Sequence, residues 1–171
     1  MTEIKITARY ASPIGEIALV SDGNSLIELH FTKGQPQDLP NNHDLQVFVD
    51  TFRWLDLYYN GIKPDFTPPL NPQGTLFQQK VWQELLTISY GQTTTYGAIA
   101  KRIGCRSAQA VGQAIHCNPI AIIIPCHRVI GADGSLTGYA AGLGIKQQLL
   151  TLEKPCPIPP PLSSPQRQPH C

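Results

Sequence analysis

The strongest constraint on this chain is a break in its middle. Residues 61–74 (GIKPDFTPPLNPQG) carry four prolines and two glycines. Proline fixes φ and has no N–H to donate, so neither a helix nor a strand interior can run through such a segment. The chain must therefore fold as two packed units joined by a linker. Its 171 residues, 42% of them hydrophobic, suffice for two small cores. The expected division is 1–60, a linker over 61–74, a second unit over 75–153, and a tail over 154–171. The tail holds seven prolines after Lys154 and is expected to be disordered.

Before the break, residues 4–10, 16–20 and 25–31 read as short strands, with Asp22-Gly23-Asn24 as a hairpin turn. Residues 43–59 read as a helix. Val47, Leu55 and Tyr58 keep a 3.6-residue period, Phe48, Phe52 and Tyr59 lie beside them, and Gly61 stops it. This half is expected to be an antiparallel sheet packed by one helix.

After the break the periodicity is helical. Phe77, Val81 and Leu85 mark one helix face, and Thr94 or Thr95 caps a second helix carrying Tyr96, Ile99, Ala100 and Ile103. Gly104 ends it, Ser107 caps the next, and Ala108, Val111 and Ile115 form that helix's apolar stripe. Two short helices joined through a glycine match a helix-turn-helix, a turn that all-α cores also use. A last helix spans about 144–153, with Ile145, Leu149 and Leu152 on one face. The fold class is therefore α+β: a small N-terminal antiparallel sheet plus helix, then a mainly helical C-terminal domain.

Net charge is only +1, but it is unevenly spread. Lys101, Arg102 and Arg106 cluster in the second half, whereas Asp22, Asp38, Asp44, Asp50 and Asp56 all precede the break. Any anion-binding face belongs to the second unit. The longest apolar run, Ile120 to Ile124, is far short of the ~20 residues that span a bilayer. Met1 to Pro13 has no apolar leader core, so no secretory signal or membrane partner is expected. The five cysteines, Cys105, Cys117, Cys126, Cys156 and Cys171, are odd in number and form no CxxC pair. Neither a disulfide framework nor a zinc site is expected.

One cysteine has chemically useful neighbours. Pro125-Cys126-His127-Arg128 closes the apolar run, and Pro125 makes a turn that presents the thiol. A free thiol with a pKa of ~8.5 is only slightly ionised at neutral pH, so His127 and Arg128 are expected to raise the thiolate fraction. Cys105 and Cys117 read as passive; Cys156 and Cys171 read as idle.

The stretch Asn118-Pro119 … Ile124-Pro125-Cys126-His127-Arg128-Val129-Ile130 resembles the active-site signature of the O6-alkylguanine-DNA alkyltransferases. The agreement runs from about Phe77 to Glu153. It includes Thr95-Tyr96, Ala110-Val111-Gly112, Thr137-Gly138-Tyr139, and Lys146 through Leu149-Leu150 to Glu153. The resemblance implies a suicide transfer of an alkyl group from O6 of guanine, with O4 of thymine as a further target, onto Cys126. His127 would take the thiol proton through a water, Glu153 would orient the imidazole, and Asn118 would hold the turn. Tyr96 would donate to guanine N3. Tyr139, Arg128, Val129 and Lys146 would serve the base pocket. Arg102, Arg106, Ser107, Gln109, Ala110 and Gln113 would meet DNA, into whose minor groove the helix over 107–116 would enter while the target base flips out.

The implied partner is double-stranded DNA containing O6-alkylguanine, bound by a monomer without cofactor or metal, in the cytoplasm or, in a eukaryote, the nucleus. Two positions depart from the pattern: Gln109 stands where the family has arginine, and His116 where it often has arginine or glycine. Apart from the resemblance, Tyr96 reads as a core aromatic and Glu153 as a helix end. A non-enzymatic lesion sensor and a helix-turn-helix regulator are the competing classes, and neither needs Cys126; a Cys-His hydrolase lacks a recognisable oxyanion loop.

Overall fold

The computed structural model describes residues 3–34, 38 and 40–154. Three strands, β1 (Ile6–Ser12), β2 (Gly15–Ser21) and β3 (Leu26–Phe31), form an antiparallel sheet in that order. Pro13-Ile14 closes the first hairpin, where Ser12 faces Gly15. Asp22 closes the second, its Oδ1 accepting the amides of Asn24 and Ser25, as an Asx turn does. The central strand β2 is buried from Ile17 to Ser21. Helix α1 (Gln46–Tyr59) starts three residues later than its periodicity predicts and buries Val47, Phe48, Trp54, Leu55 and Tyr58.

The outer edge of β3 is sealed by two later segments. Leu26 pairs with Leu70 of the linker, and Leu29 with Ile120. The Leu29 amide donates to Pro119 O (2.9 Å) and the Ala121 amide returns to Leu29 O (2.9 Å). An open edge would leave backbone donors and acceptors unpaired. Here they anchor the segment that leads to Cys126, so the N-terminal sheet helps to position the later site.

Helix α2 (Leu76–Leu85) opens on a capping box, with the Thr75 hydroxyl accepting the Gln78 amide and Gln78 Oε1 accepting the Thr75 amide. Its buried face is Val81, Trp82 and Leu85. The expected Phe77 is instead 37% exposed and Trp82 only 1%. The indole takes that place because its Nε1–H reaches Ala114 O (2.8 Å) and its ring packs on Gly74, where a Cβ would come within 2.4 Å.

Strand β4 (Thr94–Thr95) runs into α3 (Tyr96–Ile103), capped by the Thr95 hydroxyl. Gly104 turns the chain at φ 70°, and Ser107 caps α4 (Ala108–His116). The α4 stripe is Val111, Ala114 and Ile115; Ala108, expected in it, is exposed in the first turn. A parallel pairing not foreseen from sequence joins β4 to β5 (Val129–Ile130) directly after the Cys126–Arg128 turn. Helix α5 (Leu143–Glu153) closes the unit, and its buried residues are Lys146, Leu149 and Glu153.

The architecture is α+β, an antiparallel sheet with one helix followed by a helical unit containing a helix-turn-helix. Among the described residues no helix is long and apolar enough to cross a membrane. The expected disorder of the proline-rich tail concerns residues that, beyond Lys154, lie outside the described ones.

Candidate active site

The turn bearing Cys126 is built from backbone outward. Asn118 Nδ2 donates to Ile124 O (2.8 Å) and its Oδ1 accepts the Ile120 amide (3.0 Å), so one side chain bridges the run between them. Ile122 sits at φ 69°, an unusual conformation for a β-branched residue, and is fully buried. Packing and the clip to β3 hold it there. Cys126 is 7% exposed. Its thiol borders a cavity of about 230 Å³. Leu29, Phe31 and Lys33 from β3 and its following turn form one wall; Asn118, Ala121 and Tyr139 form much of the other.

Behind the thiol lies a buried charged cluster. His127 Nε2 is 2.6 Å from Glu153 Oε1, and Arg128 grips the same carboxylate through Nε to Oε2 (2.8 Å) and Nη2 to Oε1 (2.9 Å). Its third donor, Nη1, reaches Ile88 O (2.7 Å). Burial alone would raise the Glu153 carboxyl, but hydrogen bonds from His127 and Arg128 hold it at about 2. Glu153 is thus ionised and accepts only, so His127 carries its proton on Nε2. Nδ1 is buried and has no hydrogen-bond partner among the described residues. It holds the free lone pair.

Burial sets the resting charges. It pushes the Cys126 thiol up, against Asn118, Lys146 and the local amides, which pull it down. It pushes the His127 imidazole down, against the bond to Glu153. The resting pair is a neutral thiol and a neutral imidazole. The expectation that His127 and Arg128 raise the resting thiolate fraction is corrected accordingly: Arg128 is neutralised by Glu153, and desolvation prevails at sulfur.

The other expected residues fall into three places. Lys146 is fully buried; its Nζ donates to Val129 O (2.6 Å) and Thr137 O (2.8 Å), tying down both ends of the loop before Tyr139. Tyr139 lines the thiol cavity with its hydroxyl buried and unpartnered among the described residues. Arg128, expected at the base pocket, turns its guanidinium away from the cavity to Glu153, since a buried cation needs a counter-charge. Val129 is buried in β5 and contributes its carbonyl to Lys146.

A second cleft of about 530 Å³ lies along α4. Tyr96, Gln109, Gly112, Gln113 and Thr137 line it, and His116 and Gly138 border both it and the thiol cavity. Tyr96 OH donates to Thr137 O (3.1 Å). Ser107 and Ala110 are joined by the cap of α4, Arg106 is exposed, and Arg102 meets Glu84 at 3.2 Å. Cys105 exchanges weak bonds with the Ser107 backbone, and Cys117 is exposed. Cys156 and Cys171 lie outside the described residues. The residue that sequence reading missed is Tyr58, whose hydroxyl donates to Glu153 Oε1 (2.8 Å) from α1. Its helical period made it look like core, and nothing local signals a partner 95 residues away.

The comparisons with known proteins match both halves. The profile of the 6-O-methylguanine DNA methyltransferase ribonuclease-like domain matches residues 6–72, and that of the same enzyme's DNA binding domain matches 76–155. The chain belongs to the O6-methylguanine DNA methyltransferase family.

Within this family, a methylated-DNA–protein-cysteine methyltransferase of Methanosarcina acetivorans is 48% identical over 153 residues, covering 87% of this chain and 98% of the relative. One of Haemophilus influenzae is 45% identical, covering 85% and 84%. The crystal structure of Mycobacterium tuberculosis OGT in complex with DNA superposes with a TM-score of 0.79 at 43% identity, covering 86% of this chain and 92% of that one.

Proposed function

We propose that this protein repairs alkylated DNA by moving an alkyl group from O6 of guanine to Cys126, once per molecule. The observation that carries the reading is the continuity of three features. Cys126 lines a cavity, the next two residues belong to a buried His127–Glu153–Arg128 cluster, and the cavity meets a cleft along the second helix of a helix-turn-helix.

The step follows from the resting charges. The thiol proton moves toward the lone pair on His127 Nδ1, through a bridging water in this reading, and Glu153 stabilises the imidazolium that forms. The sulfur lone pair attacks the alkyl carbon, an S–C bond forms, and the C–O6 bond breaks. Its electron pair passes into the guanine ring, which takes up the proton given up by the thiol; a hydrogen bond from Tyr96 to N3 lowers the cost of that charge. The product is a thioether and an unmodified guanine. A neutral resting pair suits this chemistry, because the thiolate forms only when substrate has closed the site.

In this reading residues 1–60 form one wall and a brace, 61–74 the linker, and 75–153 the alkyl-accepting and DNA-binding unit. Gln109, Gln113 and Tyr96 line the route by which a flipped base reaches the cavity; Ser107 and Ala110 present the start of α4, and Arg102 and Arg106 supply cations. The partner is duplex DNA containing O6-alkylguanine, with O4-alkylthymine as a further target, and the protein acts as a monomer in the compartment that holds the DNA. A lesion sensor would bind the same base but would have no use for the Cys126–His127–Glu153 arrangement. Incubation with an O6-methylguanine duplex, followed by intact-protein mass measurement, tests the reading. A gain of one methyl is expected with wild type and none with Cys126→Ala; tight binding of the lesion with no mass gain would favour the sensor.

A further inference from the structure

Glu153 is held from four directions. Besides His127 and Arg128, its Oε2 lies 3.3 Å from the Gly91 amide, and its Oε1 accepts the Tyr58 hydroxyl at 2.8 Å. Tyr58 belongs to α1, on the far side of the linker from every other member of the cluster. It is fully buried, stacked on Trp54 at 5.2 Å and set edge-on to Tyr90 at 5.9 Å, so its ring has little freedom. Its oxygen is also 3.4 Å from His127 Nε2. Both groups donate to the same carboxylate oxygen, so this contact is a shared acceptor rather than a bond between them.

We infer that Tyr58 is a positioning residue for the transfer, its hydroxyl holding the Glu153 oxygen that His127 uses and restraining the pull of that oxygen on the imidazole. The inference rests on the alkyl-transfer reading above. A carboxylate oxygen that shares its charge with a third donor is a weaker acceptor toward the other two. Without the Tyr58 hydroxyl, Oε1 would bind His127 more strongly and favour imidazolium. An imidazolium has no lone pair for the thiol proton.

Among the described residues, the charged and titratable groups around His127 are Glu153 and Lys146 from α5, Arg128 and Cys126 from its own turn, and Tyr58 from α1. Of these, Tyr58 is the one that reaches the cluster from the N-terminal unit. Burial and the adjoining Glu153 push its phenol far above the ordinary range, so it stays protonated and donates to Glu153.

The test is Tyr58→Phe, which removes one oxygen and keeps the packed ring. Single-turnover methyl transfer from an O6-methylguanine duplex is measured from acid to alkaline pH, alongside DNA affinity and thermal melting. The rising limb of rate against pH is expected to move up by about one unit, which lowers the rate on that limb about tenfold, with recovery to near wild type above it. DNA affinity should be unchanged. The imidazole nitrogen resonances of His127, followed by NMR without DNA, should titrate at correspondingly higher pH. That measurement stands even if the variant loses stability. A slower variant with an unmoved limb and unmoved His127 resonances would show a structural role only and overturn the inference. If wild type itself gains no methyl on Cys126, the functional reading falls and this inference with it; if wild type transfers normally and the variant matches it at every pH, only the inference falls.

Discussion

Replacing Glu153 with glutamine keeps the shape of the cluster and removes its charge. The carboxyl is held at about 2, against an ordinary 4.5. Integrated over that interval, the ionised form contributes about 3 kcal/mol to stability. Because the folded value is depressed, this stability is complete above about pH 4.5 and is lost as pH falls toward 2. Glu153→Gln should therefore melt roughly 6–12 °C below wild type at neutral pH, and the gap should close on acidification. Arg128, left buried opposite a neutral amide, accounts for part of that cost. The kinetic effect is larger. A glutamine amide can donate to His127 Nε2 and so move the ring proton to Nδ1, the nitrogen that must accept. A wrong tautomer in a comparable triad costs about 10⁴ in rate, and a fall on the order of 10³–10⁴ is expected here in single-turnover transfer. His127→Ala should be similarly slow, and the double variant little slower than the worse single one, because the two residues act as a unit. A Glu153→Gln protein that transfers within tenfold of wild type, or losses that simply multiply, would refute this reasoning.

Gln109 lies exposed in the first turn of α4, on the cleft that Tyr96 and Gln113 share. Gln109→Arg supplies a stacking cation for the space of the flipped base, worth about 1–2 kcal/mol, and should speed repair of duplex DNA about tenfold. Free O6-benzylguanine, which needs no flipping, should react at the wild-type rate; equal acceleration of both would contradict the assignment. Phe31→Leu trims the cavity wall that the N-terminal sheet supplies. The ratio of benzyl to methyl transfer rates should rise about tenfold, within the range that small changes in an apolar pocket produce, and an unchanged ratio would place the alkyl group elsewhere. Lys146→Met removes two charge-assisted bonds of about 1.5–3 kcal/mol each. Amide exchange over 131–139 should quicken and transfer should slow, whereas unaltered exchange would mean that the loop is held by other contacts.

What the sequence discloses about this fold is local. Ser107 and Thr95 cap their helices and Gly104 adopts its left-handed turn, because each answers to neighbours three or four residues away. Val111 and Ile115 on α4 and the three strands follow from side-chain period. What escapes is what is joined at long range. Trp82 displaces Phe77 from the buried face because of an indole bond to Ala114, 32 residues on. Arg128 leaves the pocket for Glu153, 25 residues on, and Tyr58 looks like one more aromatic on a helix. The apolar run Ile120 to Ile124 is core, and nothing in its residue types shows that its backbone clips onto Leu29 and Asn118. The site was legible as Cys126, His127 and Glu153 because the motif resembles a family. Its resting charges were not, since desolvation depends on burial that no spacing reveals.

The measurement that tests the central claim most directly is a titration to completion with excess O6-methylguanine duplex, followed by peptide mapping of the protein. Methyl transfer is expected to stop at one per chain, with the mass gain wholly on the peptide containing Cys126 and the DNA left with unmodified guanine. Continued turnover beyond one equivalent, or methyl on Cys105 or Cys117 in place of Cys126, would contradict it.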